Sequence, residues 1–349
     1  MGQERFRNLD AMRGLCALIV VLFHCANFFV PGLIFGHGYL AVDLFFILSG
    51  FVIAHAYGAR LASGLGFRDF LRARVARLGP TYWAGTLLGI GMLATVALFR
   101  PAGTFYSPWS IAGIGALSLM LIPYLGAAGG PAFPPNPVAW SLFGEAIANL
   151  AYGAGLHRLK TSALALVAGA GWLACAIYSY STPHGWLFGA GVDSLPFLPL
   201  KAIPAFLAGV ILYRLWREGW LERLPKISPV VVLLLWALLS ELPLTDATPT
   251  YDFLVVAFAG PILVALLVRA PQTAPRPFLW LGTVSYPLYA SHQSLLLTAH
   301  NTPLLGFQRG PNPLMATLLI AACLGLAWAI HRMVERRAPA RAPVPAVAM

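Results

Sequence analysis

Apolar residues in this chain come in long runs rather than in alternation. Ten runs lie near residues 10–31, 38–57, 80–99, 138–157, 161–180, 198–216, 228–243, 251–268, 278–299 and 313–334, divided by short segments that hold Pro, Gly and most of the charged residues. About 20 apolar residues in an α-helix cross the roughly 30 Å of bilayer hydrocarbon. Each run therefore predicts a membrane-spanning helix, while the strict period-two pattern of a lipid-facing β-barrel is missing. The pattern predicts an all-α integral membrane protein, a bundle of about ten transmembrane helices.

Composition agrees. With 59% hydrophobic residues, 10% charged residues and a mean hydropathy of +0.75, the 349-residue chain lacks the polar surface of a water-soluble globule. The first run, with Arg5, Arg7 and Arg13 at its start, is too long for a signal peptide and lacks a small-residue cleavage site, so it is read as a retained span. Cys16, Cys25, Cys175 and Cys323 all fall in apolar segments with no CxxC pair and read as core residues; no metal site is expected. The net charge of +11 sits in the short loops, where it orients the spans, so no nucleic-acid partner is expected.

An eleventh apolar segment, SPWSIAGIGALSLMLIPYLG at 107–126, decides the topology. If it does not cross and the N-terminus is cytoplasmic, 20 of the 23 basic residues fall on the cytoplasmic side, leaving Arg100, Lys201 and Arg309 outside. Letting it cross would place twelve of those twenty outside. Both termini are therefore expected in the cytoplasm, and 107–126 is expected to be re-entrant or interfacial. With GAAGGPAFPPNPV after it, this segment predicts an outward-facing recess, since non-helical backbone at that depth must line protein or water. Residues 1–337 read as one transmembrane domain and 338–349 as a short, Pro-rich, disordered tail.

Of the twelve carboxylates, Asp43 and Glu145 lie a turn or more inside predicted spans. Ionisable groups at that depth are costly and by default face a functional interior; a buried pair that fixes helix packing is the plainer alternative. Arg13 and His24 are eleven residues apart in the first span. That is close to three turns, about 16 Å of rise, so the two share one face. An imidazole near neutrality is the commonest general base, although a lone histidine in an apolar run more often simply donates to a carbonyl. FRDFLRARVARLGP at 67–80 places Arg72, Arg74 and Arg77 before the third span, suited either to topology or to phosphate binding. Trp140 and Ser141 open AWSLFGEAIANLAYG, and VSYPLYASHQSLL holds Tyr286, Tyr289 and His292; the tyrosines suit interfacial anchors and pocket donors equally.

Taken together, LDAMRGLCALIVVLFH, GYLAVDLFFILSGFVI at 38–53, the arginine-rich loop into LGPTYW, WSLFGE at 140–145, SYPLYASH at 285–292 and VERR at 334–337 resemble the membrane-bound acyltransferase 3 family of bacterial O-acyltransferases, in the family's order and over nearly the whole chain. The Arg13-to-His24 spacing matches the family's R(x10)H signature. The resemblance implies a ten-helix inner-membrane enzyme that moves an acyl group, usually acetyl from acetyl-CoA, to a hydroxyl of a carbohydrate or lipid-linked acceptor. Acyl-CoA is then a substrate, with no permanently bound cofactor, and membrane lipids surround the enzyme. By the same resemblance His24 is the catalytic histidine and Arg13 its partner, while Arg72, Arg74 and Arg77 fall in the loop that meets the CoA phosphates; FLRARVARLGP departs from the family's usual adjacent arginines, which leaves open which of them faces the donor. Glu145 is the WSLxxE acid, and Asp10, Asp43 and Ser49 fill further motif positions. Glu145 or Asp43 is expected to orient the imidazole of His24, and FYSPW and AFPPNP to offer a sugar-stacking surface in the outer recess. The competing class is a proton-coupled transporter or flippase using Arg13, His24, Asp43 and Glu145 as a relay. Internal repeats would favour it, and none is visible.

Overall fold

The computed structural model describes residues 6–30, 36–99, 106–126, 129–183, 185–241, 248–301 and 312–335. Among these residues the chain is helical with no strand, apart from one isolated antiparallel bridge between Pro131 and Gly191. The helices are α1 (Arg7–Phe29), α2 (Ala41–Ala62), α3 (Phe67–Phe99), α4 (Pro108–Leu119), α5 (Ala139–Ala154), α6 (Thr161–Ser181), α7 (Leu198–Arg217), α8 (Pro229–Leu239), α9 (Thr248–Leu254), α10 (Gly260–Arg269), α11 (Arg276–Asn301) and α12 (Pro313–Ile330). A π-helical turn, Val255–Ala259, joins α9 to α10.

Every run predicted to cross coincides with a helix, but seven of them are long and apolar enough to do so on composition: those containing α1, α2, α3, α6, α7, α9 with α10, and α12. The ten-span count requires α5, α8 and α11 to cross as well. Helix α11 is 26 residues long and falls outside the seven, because its interior carries Ser285, Tyr286, Tyr289, Ser291, His292 and Ser294. Helix α4 has 12 residues, about 18 Å of rise, which is too short to cross by itself.

Helices in lipid gain no hydrophobic drive from meeting each other, so close backbone approach at small residues holds them together. The most extensive pair is α1 with α11. A Cβ on Gly14 would lie 2.4 Å from the backbone nitrogen of Gly282, and one on Gly282 would lie 2.4 Å from the carbonyl oxygen of Asp10. Only glycine fits both places. Helices α2 and α7 meet in the same way, through Gly50 against Phe206 and Gly209 against Ile47. Asn8 ties the start of α1 to the α10–α11 linker, donating to the carbonyls of Leu267 and Pro271 at 3.0 Å and accepting from the Ala274 amide at 3.2 Å.

The segment after α4 corrects one expectation. Ala132, Phe133, Pro134, Pro135 and Asn136 are buried, so AFPPNP is an internal wedge and offers no sugar-stacking face. Its backbone finds protein partners: the Tyr124 amide donates to Ala132 O, the Ala132 amide to Ala190 O and the Asn136 side chain to Ala290 O. Phe105 of FYSPW, Arg336, Arg337 and the tail 338–349 lie outside the described residues.

Candidate active site

Gly14 and Gly282 touch, and ten residues further along each helix stand His24 and His292. The matching offsets mean that α1 and α11 run parallel and in register, which brings the two imidazoles together. His292 Nε2 lies 3.2 Å from His24 Nδ1, with ring centroids 5.2 Å apart. His24 Nδ1 also lies 3.0 Å from the carbonyl oxygen of Val20, and His292 Nδ1 lies 3.0 and 2.9 Å from those of Leu288 and Tyr289. His292 is fully buried and His24 partly so, between the rings of Phe23 and Phe28.

Toward the N-terminal end of α1 a cavity opens between α1, α2, α3, α5 and α11. Arg13, Arg74 and Arg77 line it at that end and Ser141 and Tyr289 at the other, with Ser49, Glu145 and Tyr286 along its wall. Glu145 organises the wall. Its Oε1 accepts from Arg74 at 3.0 Å and from the Ser49 hydroxyl at 2.8 Å, which fixes a buried guanidinium at the cavity surface. Tyr286 donates to the Leu78 carbonyl at 2.8 Å and so pins α11 to α3. At the far end Ser141 donates to Val138 O at 2.9 Å and accepts from the Tyr289 hydroxyl at 2.6 Å. The Tyr289 ring packs between Phe45 and His292, at 5.4 and 5.9 Å between centroids. Tyr289 therefore stands between the cavity and the histidine pair.

Several expected site residues lie elsewhere. Arg72 is 80% exposed, pairs with Asp69 at 3.4 Å and takes no part in the cavity lining. Asp43 does not reach His24. It is buried against α7, where its Oδ2 accepts from Trp186 Nε1 at 3.2 Å and lies 3.5 Å from Lys201 Nζ. Glu145 does not reach His24 either, because it is spent on Arg74 and Ser49. The group beside the imidazole is thus His292, and neither carboxylate is its orienter. Asp10 lies in the first turn of α1 with its backbone against Gly282. Trp140 stacks over Lys201 with 5.6 Å from Nζ to the ring centroid.

Two polar clusters escaped the sequence reading. Lys201 is 2% exposed, donates to Trp186 O at 2.8 Å and faces the rings of Trp140, Trp186 and Phe188. Buried Asp252 accepts from Tyr39 at 2.7 Å and lies 3.0 Å from His37 Nδ1. The available signal was a charged residue a few positions inside an apolar run in each case.

These features define a helical membrane protein with a guanidinium-lined cavity and a buried imidazole pair. The profile of the acyltransferase 3 family, described as an acyltransferase domain, matches residues 6–332. The chain belongs to that family and is a membrane acyltransferase by membership. It is also similar to "Protein 2 in picA locus" of Rhizobium radiobacter, 39% identical over 164 residues that make up 43% of this chain and 81% of the relative. No solved structure matches.

Proposed function

We propose that this chain transfers an acyl group, acetyl in the first instance, from acyl-CoA to a hydroxyl of a carbohydrate or lipid-linked glycan, with His24 as the group that handles the proton. The observation that carries this reading is the cavity lined by Arg13, Arg74 and Arg77 and also by Tyr289, whose ring packs on His292, the neighbour of His24. Guanidinium groups suit the CoA phosphates through paired hydrogen bonds. Arg13 and His24 are about 16 Å apart along α1, so the flexible pantetheine arm runs beside that helix and delivers the thioester past Tyr289. The reading includes ten spans, both termini in the cytoplasm, residence in the inner membrane and an acceptor approaching from the outer side.

In the transfer step the acceptor oxygen attacks the thioester carbonyl while its proton passes to His24. The carbon–sulfur bond then breaks and the same proton goes to the departing sulfur, leaving an ester and free CoA thiol. A two-step variant makes His24 the transient acyl carrier. Purified protein supplied with acetyl-CoA and surface glycan tests the reading by thiol release and by the mass of the glycan. Wild-type protein is expected to release thiol in step with a gain of one acetyl per acceptor, and His24→Ala to lose on the order of 10²-fold or more in rate. Full transfer by His24→Ala would overturn it.

A further inference from the structure

Two carbonyl oxygens crowd one nitrogen of His292, and that detail propagates to His24. Leu288 O and Tyr289 O lie 3.0 and 2.9 Å from His292 Nδ1. Both can only accept, so Nδ1 must be the nitrogen that carries hydrogen. In a singly protonated ring, Nε2 then bears the lone pair. That lone pair faces His24 Nδ1 at 3.2 Å, and among the described residues the other hydrogen-bonding neighbour of His24 Nδ1 is Val20 O at 3.0 Å, again an acceptor. Both neighbours ask His24 Nδ1 to donate.

From this the geometry points to His292 as a positioning residue: it holds His24 with hydrogen on Nδ1, leaving Nε2, across the ring from both contacts, as the basic nitrogen that takes the acceptor's proton. The inference rests on the reading that His24 carries the transfer, and adds which of its nitrogens acts and what selects it. The logic is that of a base oriented by a third group, with an imidazole in the place usually held by a carboxylate. An imidazole suits this depth because it accepts a hydrogen bond without bringing a fixed charge into the bundle. When Nε2 gains a proton in the transfer step, the Nδ1–H bond to His292 becomes charge-assisted and so strengthens as the reaction needs it. The other arrangement, a bare Nδ1 on His24, would set its lone pair against Val20 O and against the lone pair of His292.

Three variants and one spectrum test this. His292→Leu removes the acceptor and is expected to lower kcat on the order of 10²-fold, with the KM for acyl-CoA changed less than about threefold, because the arginine end is untouched. His292→Gln sets an amide where Nε2 stood; its oxygen accepts from His24 Nδ1 and is expected to restore kcat to within about tenfold of wild type. Nitrogen-15 NMR of histidine-labelled protein in nanodiscs, with the His24 signals identified by their loss in His24→Ala, is expected to show a protonated Nδ1 and a bare Nε2 in the wild type. A His24 with hydrogen on Nε2, or a His292→Leu variant of unchanged kcat, overturns the inference. Equal losses in His292→Leu and His292→Gln with both proteins folded also overturn it, since the position would then matter only for packing. An inactive His24→Ala beside a fully active His292→Leu leaves the function in place and removes only this assignment; an active His24→Ala removes the function itself.

Discussion

The close backbone approach between α1 and α11 makes a prediction at a distance. In Gly14→Ala the new Cβ would lie 2.4 Å from Gly282 N and 2.6 Å from the carbonyl carbon of Leu281, where ordinary contact starts near 3.4 Å. Both opposing groups are backbone and cannot rotate away, so α1 and α11 must part by about 1 Å. Carried along two stiff parallel helices, that displacement takes the 3.2 Å contact between His24 and His292 to about 4.2 Å, beyond hydrogen-bonding reach. Overpacking of this kind costs about 1–3 kcal/mol, so the variant should fold with a lowered Tm. A misplacement of about 1 Å at a reacting group costs on the order of 10²-fold in rate. The assay pairs thiol release from acetyl-CoA with thermal unfolding of the same preparation. Gly325→Ala, where a Cβ meets nothing within 4 Å, serves as the neutral comparison. A Gly14→Ala protein with an unchanged Tm and turnover within about twofold of wild type would refute the reasoning.

Two further predictions concern the charged groups. Arg77→Ala and Glu145→Gln should each raise the KM for acyl-CoA about tenfold, the second by releasing Arg74, whereas Arg72→Ala should leave KM and kcat unchanged because its side chain is 80% exposed and pairs with Asp69 away from the cavity; steady-state kinetics over the donor concentration series decides both. Lys201→Met should destabilise by about 3–5 kcal/mol, because Asp43 is then buried without its cation, and the double variant with Asp43→Leu should recover most of that loss in thermal unfolding.

The helices themselves were legible because length and hydropathy alone mark a helix that must bury its backbone bonds in lipid. The eleven-residue step from Arg13 to His24 was legible for the same reason: a helix turns a sequence interval into a face. Partnership across the bundle was not. Asp43 and Glu145 both sit at suitable depth on suitable spans, and nothing local in either sequence says that one turns to Lys201 on α7 and the other to Arg74 on α3. Nor did AFPPNP look buried, since prolines and an asparagine outside a helix read as surface until a partner such as Ala290 O is supplied. The approach of His292 depends on Gly14 and Gly282, two of 34 glycines, and single-chain spacing does not say which glycines face each other. Length and punctuation marked 278–299 as a span, while the polar side chains of α11 lower its hydropathy and leave it outside the seven helices apolar enough to cross on composition.

Tyr289 and Ser141, joined through their hydroxyls, line the cavity, and neither imidazole of the histidine pair does. A protein that conducts chemistry from one face of a membrane to the other runs the risk of conducting protons as well, because a continuous file of water between the arginines and His24 would short-circuit the gradient the cell lives on. On the proposed reading, the one aromatic ring between the cavity and the imidazole pair keeps the two aqueous phases electrically apart. On that reading turnover costs the cell an acyl group and no proton-motive force.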